Sequence, residues 1–229
     1  MNKTIGIAKT WIAKADAVLV TASNGLSISE GYHIFANNAD FKRYFSNFQE
    51  KYGITNIVQG WYFNFPDEID SKKFDRAVIK YMIEDYSGHQ IFQDLRNIIE
   101  DKEYFILTSN ADTHFQLNGF EDSKIFEIEG NILDGIGFGG KKWEQKQEKL
   151  EVFLNDNQEK NLLVIELGIG SQNHLIKAPI MKWVSEHPKT KYLTLNLAHE
   201  INISDDIKKQ SLALIGPIAE TFKELLYDN

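Results

Sequence analysis

From residue 90 onward the sequence alternates apolar runs of strand length with stretches that repeat at helical spacing, and this alternation constrains the fold more than any other feature. "YFIL" at 104–107, "NLLVIEL" from 161, "KYLTLNL" from 191 and "SLALIG" from 211 are short and mostly apolar. Helix-like segments lie at 90–101, 141–156, 175–185 and from Pro217, which is suited to a first helical position. An earlier run, "DAVLVTAS" at 16–23, has the same character and follows a helical stretch at 3–14. "KIFEIEG" at 124–130 reads as one more short strand. A strand that is apolar on both faces is buried on both faces, the condition of a parallel strand covered by helices. The pattern predicts an α/β fold: a Rossmann-like, doubly wound parallel sheet with right-handed crossovers. The 229 residues suffice for a single such domain over 1–229 with an inserted module.

Residues 40–89 break the alternation. Phe and Tyr recur there at helical spacing, which predicts a helical insert of two or more helices, expected to cover the site or shape an acceptor groove. "NGLSISEG" after the first strand reads as a polar turn. The net charge of −8 argues against a nucleic-acid surface, which needs clustered Lys and Arg. With no cysteine, the chain has no disulfide framework, no thiolate nucleophile and no Cys-based zinc site. The six histidines are scattered, and none stands three or four residues from another, so no metal is expected. No apolar stretch reaches the ~20 residues of a membrane span. Lys9 and Lys14 interrupt any signal-peptide core, so the protein is expected to start at Met1 and to be cytoplasmic.

In a parallel sheet, ligands gather at the carboxyl ends of the strands, near the point where the strand order reverses. Five strand ends here carry polar or glycine residues: "TASNGLS", "LTSNAD", "EIEGN", "ELGIGSQN" and "TLNLAH". Together they suit a nucleotide-sized site. "SNGLS" can bring backbone N–H groups close to a pyrophosphate, although G-x-G-x-x-G is absent and an ordinary turn is the alternative. No P-loop and no G-x-S-x-G elbow is present. Glu127 and Glu129 alternate with Phe126 and Ile128, which leaves either two solvated carboxylates or one, Glu129, on the binding rim.

These segments, in this order, resemble the sirtuin family over nearly the whole chain. "ADAVLVTASNGLSISEG" is similar to the phosphate-binding G-A-G-[IV]-S segment with its later Ser-Gly. "LTSNADTHF" is similar to T-Q-N-[IV]-D-x-L-H, and "KIFEIEGN" to the V-x-E-L-H-G strand. "ELGIGS" resembles the G-T-S segment, "LTLNL" the I-N strand, and "LALIGPIAETFKELL" the closing segment that backs the adenine. "TSNADTHFQLNGF" looks most like the macrodomain-linked, class M sirtuins of bacteria. Three places depart from the pattern. Ser23 and Asn24 replace the first Gly and the Ala, residues 131–160 replace the four-cysteine zinc module as a remnant without zinc, and Glu129 stands where the family has His or Gln.

The resemblance implies NAD as cofactor and a protein acceptor, in class M a lipoyl-carrier protein. It implies cofactor contacts from Ser23, Asn24, Gly25, Ser27, Gly168, Ile169, Gly170, Asn196 and Pro217, and catalytic roles for Asn110, Asp112 and Glu129. Asn110 is expected to bond a ribose hydroxyl or an ordered water. Asp112, an acceptor only, is expected to take the carboxamide N–H of nicotinamide. A free Glu has a pKa near ~4.3 and is a weaker base than His near ~6.5. ADP-ribosyl transfer therefore ranks above an NAD- or ADP-ribose-binding pseudoenzyme or an NAD hydrolase, and deacylation ranks last. A scaffold protein without NAD chemistry is the rival from another class.

Overall fold

The computed structural model describes residues 3–100 and 102–227. Helix α1 (Lys3–Lys14) leads into strand β1 (Ala17–Ala22) and the short helix α2 (Asn24–Ser29). A separate compact unit follows, Gly31–Ser87. It contains α3 (Ala39–Tyr52), α4 (Ile57–Trp61) and α5 (Glu68–Ile79), the last continued by one π-turn at Lys80–Glu84. The first unit resumes at Gly88 with α6 (Gln90–Ile99), β2 (Glu103–Thr108), α7 (His114–Leu117) and β3 (Ile125–Glu127). Then come β4 (Gly130–Asn131), β5 (Gly135–Ile136), α8 (Lys141–Asn157), β6 (Leu162–Leu167) and α9 (Lys177–Glu186). Strands β7 (Lys191–Asn196) and β8 (Ser211–Ile215) and helix α10 (Ile218–Leu226) complete it.

Six strands form one parallel sheet in the order β3-β2-β1-β6-β7-β8, the doubly wound arrangement that the alternation predicts. Strand order reverses between β1 and β6, whose registers run Ala17↔Leu162 to Ala22↔Leu167. Side chains on each strand alternate between two cores. Val18, Val20, Ile106, Leu163, Ile165, Leu193 and Leu195 pack with α6 and α10 residues such as Phe92, Leu95 and Phe222. Leu19, Phe105, Leu107, Leu162, Val164 and Tyr192 pack with Leu150 and Phe153 of α8 and with Ile180 and Val184 of α9. This two-sided burial is the physical reason for the near-continuous apolar runs. Each such side chain contributes about 1.5–3 kcal/mol by leaving water.

The unit Gly31–Ser87 has its own aromatic core. Phe45 lies 5.2 Å from Phe74, and Phe48 lies 5.1 Å from Phe74 in an edge-on arrangement. Each helix start is capped by a side-chain oxygen: Asn38 takes the N–H of Phe41, Asn56 that of Gln59, and Asp67 that of Asp70. Residues 40–87 of the expected insert fall inside this unit.

Three local expectations are corrected. "NGLSIS" is a helix, not a turn, because it buries Leu26 and Ser27. The strand expected over 124–130 stops at Glu127: Ile128 N–H still bonds the Thr108 carbonyl, but Gly130 at φ 78° turns the chain into the small antiparallel β4–β5 hairpin. Pro217 caps α10 from outside, with ψ 134°, rather than starting it. The α8 segment packs on the sheet, its Trp143 ring edge-on to Phe126 at 5.1 Å. No helix among the described residues is long and apolar enough to cross a membrane.

Candidate functional site

Beyond the carboxyl ends of the strands, backbone hydrogen bonds carry the ladder onward. Ser23 N–H bonds Leu167 O, Gly25 N–H bonds Gly168 O at 3.0 Å, Gly168 N–H bonds Leu195 O, and Gly216 N–H bonds Asn196 O. These bonds draw the ends of β1, β6, β7 and β8 around a cavity of about 490 Å³. Ser23, Asn24, Gly25, Gly168, Gly170, Asn196 and Pro217 line it, together with Ile28, Ser29, Leu197, His199, Glu200, Gly216 and Ile218.

Gly25 and Gly168 must both be glycine for this closure. A Cβ on Gly25 would stand 2.5 Å from Gly168 Cα and 2.6 Å from its carbonyl oxygen. The obstacle is backbone, which cannot rotate away, and Gly168 itself sits at φ 60°. Gly25→Ala should lower the unfolding free energy by about 1–3 kcal/mol, the range for overpacking. A denaturant titration checks this: an unchanged midpoint would show that the two segments can separate at no cost.

Two further side chains set the cavity's polar wall. Asn196 Nδ2 donates to Ile169 O at 2.8 Å, while its Oδ1 accepts the N–H of Leu197. Glu200 accepts the Ser171 N–H at 2.7 Å, and this backbone bond holds its carboxyl below the usual range. Ile169 turns its side chain into the core, so it offers the site only main chain. Ser27 is buried and does not line the cavity. Its Oγ donates instead to Asp112 Oδ2 at 2.9 Å.

Asn110 and Asp112 pack on the segment that carries Ser23 and Ser27. Ser109 Oγ donates to Ser23 Oγ at 2.8 Å, and Asn110 Nδ2 donates to Ser23 O at 3.2 Å. Asn110 N–H bonds Thr108 Oγ1 at 3.0 Å, which fixes the turn after β2. The polar run at 108–112 thus ties the end of β2 to the loop after β1. Asp112 Oδ1 accepts the His114 N–H at 3.0 Å. Between them Thr113 is held at φ 60°, with its buried hydroxyl unpartnered. A β-branched residue in that region is strained, a condition that clusters at ligand-handling turns.

Glu129 is not placed at a strand end. It occupies the turn after β3, half-buried, and burial pushes its carboxyl pKa up. The residue that closes β3 is Glu127, which is buried and accepts from Gln116 Nε2 at 3.0 Å, Asn131 Nδ2 at 2.9 Å and Lys146 Nζ at 3.3 Å. Glu127, Asn131, Lys142 and Trp143 border a smaller cavity of about 190 Å³. The structure therefore gathers most of the expected cofactor residues around one cavity, packs Asn110 on Ser23 and Asp112 on Ser27, and leaves Asn110, Asp112 and Glu129 all outside the cavity's lining. His199, Glu200 and Gly216 escaped the sequence reading. The polar or glycine end of the sixth strand, "LIGP", was the available signal for Gly216.

Among the described residues, one group could hold a metal ion: Glu30, Asp112 and His114, with one ligand atom each within 4.8 Å of the others. Spacing in sequence could not reveal it, since Glu30 and His114 stand 84 residues apart.

No family model matches this chain. It is 26% identical over 132 residues, 58% of its length, to a protein named protein ADP-ribosyltransferase from Staphylococcus aureus strain Mu50. It is 32% identical over 133 residues, 56% of its length, to a probable bifunctional ADP-ribose hydrolase/ADP-ribosyltransferase from Fusarium oxysporum f. sp. cubense. The chain spans 41% and 21% of the lengths of these relatives. In structure it is similar to a sirtuin studied for the basis of its substrate affinity, with a TM-score of 0.65 and 15% identity, over 99% of this chain and 98% of that one. It is similar also to a Sir2 complex with p53 peptide and NAD+, with a TM-score of 0.58 and 13% identity, over 97% of each. The chain thus has the sirtuin fold, and more than half of its sequence is similar to proteins named as ADP-ribosyltransferases.

Proposed function

We propose that the chain is an NAD-dependent protein mono-ADP-ribosyltransferase of sirtuin type. The observation that carries the reading is the cavity at the strand-order reversal, where the Gly25–Gly168 crossing removes every side chain from one stretch of wall. A pyrophosphate can approach main chain only where no Cβ intervenes. The names of the two sequence relatives and the Sir2–NAD+ neighbour support the same reading.

In this reading Gly170 and Asn24 offer main chain to the pyrophosphate, with Ser23 beside them, while the N–H groups of Gly25 and Gly168 stay in the closure. Asn196 and Glu200 face ribose hydroxyls, and Pro217, Leu197 and Ile218 offer apolar surface to the adenine. Asn110 Oδ1, which makes no hydrogen bond to the described residues, is placed to bond a ribose hydroxyl or an ordered water. Asp112 accepts from the carboxamide of nicotinamide. The bond from nicotinamide nitrogen to the ribose C1′ breaks, its electron pair leaving with nicotinamide, and an acceptor oxygen on a protein forms the new bond at C1′. That acceptor gives up its proton to solvent or to a nearby carboxylate. A lipoyl-carrier protein is the proposed acceptor.

A second reading, an NAD- or ADP-ribose-binding protein without transfer, is favoured by Glu129, which stands outside the cavity's lining; Ser23 and Asn24, where the resembled pattern has Gly and Ala, favour instead a scaffold without NAD chemistry. Glu129 separates the readings. As a positioning group for ribose or acceptor, it should tolerate Glu129→Gln with appreciable labelling of acceptor, while Glu129→Ala should lose about 10²-fold. As a general base it should fail alike in both variants, and activity should rise with pH through a carboxyl pKa that burial has already raised. NAD-dependent labelling by the two variants decides between these roles. Labelling by neither the wild type nor Glu129→Gln would favour the binding protein.

A further inference from the structure

We infer that Glu30 and His114 form a buried positioning pair for Asp112, and thereby set the grip on the nicotinamide end of NAD without touching the ADP-ribose end. The inference rests on the functional reading above, in which Asp112 meets the carboxamide.

Glu30 and His114 are 6% and 0% exposed. Glu30 Oε1 lies 2.6 Å from His114 Nδ1. The same ring nitrogen lies 3.8 Å from Asp112 Oδ2, so the imidazole stands between two carboxylates and bonds one of them. Asp112 is held from two other sides, by the His114 N–H on Oδ1 and by Ser27 Oγ on Oδ2. Each carboxylate oxygen keeps a second lone pair for a ligand.

Glu30 therefore competes with Asp112 for one donor. While Glu30 holds the imidazole, Asp112 Oδ2 remains available. A buried polar group deprived of its partner seeks the nearest acceptor. Without the Glu30 carboxylate that acceptor is Asp112 Oδ2, and the ring would take the oxygen that the carboxamide needs. The strained turn at Thr113 fixes the distance between the His114 ring and Asp112, so the competition cannot be relieved by a simple drift of the backbone. Sequence alone places Glu30 near the end of the segment that resembles a phosphate-binding one and His114 after "TSNAD", with nothing to link the two.

The test is calorimetry of NAD and ADP-ribose, with nicotinamide inhibition of labelling, on wild type, Glu30→Leu, which removes the acceptor, and the double variant Glu30→Leu/His114→Phe. Melting temperatures show that each variant is folded. Glu30→Leu should weaken NAD binding and nicotinamide inhibition by about tenfold, the scale of one charge-assisted hydrogen bond. ADP-ribose, which lacks nicotinamide, should bind within about twofold of wild type, on the scale of a site left untouched. The double variant removes the competing donor, so nicotinamide inhibition should recover relative to Glu30→Leu alone. Equal losses for NAD and ADP-ribose, no loss for either, or no recovery in the double variant would each overturn the inference while leaving NAD binding in place. A wild type that binds neither ligand would instead remove the functional reading, and the inference with it.

Discussion

Replacing Lys177 with Met should lower the unfolding free energy by about 3–5 kcal/mol, the range for stripping one partner from a buried ion pair. Lys177 Nζ lies 3.1 Å from Glu166 Oε1, with side chains 1% and 0% exposed. Thr194 Oγ1 donates to the same carboxylate at 2.7 Å, and the Tyr192 hydroxyl donates to its other oxygen. Lys177 also donates to Glu200 O at 3.2 Å, which ties this core network to the rim of the cavity at the strand ends. Burial pushes the Glu166 carboxyl pKa up, and the charge of Lys177 is the chief influence pulling it back. The sign follows. A raised folded-state pKa gives stability that is present at low pH and lost as pH rises through that pKa. Removing Lys177 raises it further, so the variant's deficit should be small in acid and grow toward neutral pH. Glu166→Gln/Lys177→Met keeps an acceptor for Thr194 and Tyr192 without an unpaired charge and should regain most of the loss. Denaturant unfolding of the three proteins at two pH values checks this. A double variant no more stable than Lys177→Met would show that the carboxylate is not the source of the cost.

The largest expected effect on activity belongs to Asp112. Asp112→Ala should reduce NAD-dependent labelling by about 10²-fold or more, as for loss of one positioned polar group at a site of developing charge. It removes the proposed acceptor for nicotinamide and also releases Ser27 Oγ and the His114 N–H. Asn110→Ala should lose a comparable factor, because it removes the Oδ1 offered to the ribose side and frees Ser23 O at the cavity wall. Thermal unfolding of both variants separates this from general destabilisation. Wild-type labelling by either variant would take that residue out of the site.

The sheet was legible because both of its faces are buried, so that β1, β2 and β6 read as mostly apolar runs, while β7 alternates Leu193 and Leu195 with Thr194 and Asn196 and is legible by its length and place between helices. Helices α6 and α8 were legible because they are long enough for their period to show. Helix α2 was not, since its six residues span less than two turns and its sequence, "NGLSIS", is rich in turn formers. The place of Glu129 was misjudged for a related reason: alternation continues through Ile128, and only the positive φ of Gly130 shows that the ladder has ended. The cavity's glycines and Asn196 stood out as breaks in apolar runs. The pairing of Glu30 with His114, and of Glu166 with Lys177, is a property of tertiary packing across 84 residues in the first case, and no local pattern encodes it.

The central claim is that this chain cleaves NAD and keeps the ADP-ribose half on a protein. The direct measurement uses the full chain with NAD labelled on the adenosine side, in parallel with NAD labelled on nicotinamide, and a lipoyl-carrier protein as acceptor. Adenosine label should become covalently attached to the acceptor while nicotinamide label is released in equal amount, and both should fall together in Asp112→Ala. Release of nicotinamide with no label on protein, or no release at all from a chain that binds NAD, would contradict it.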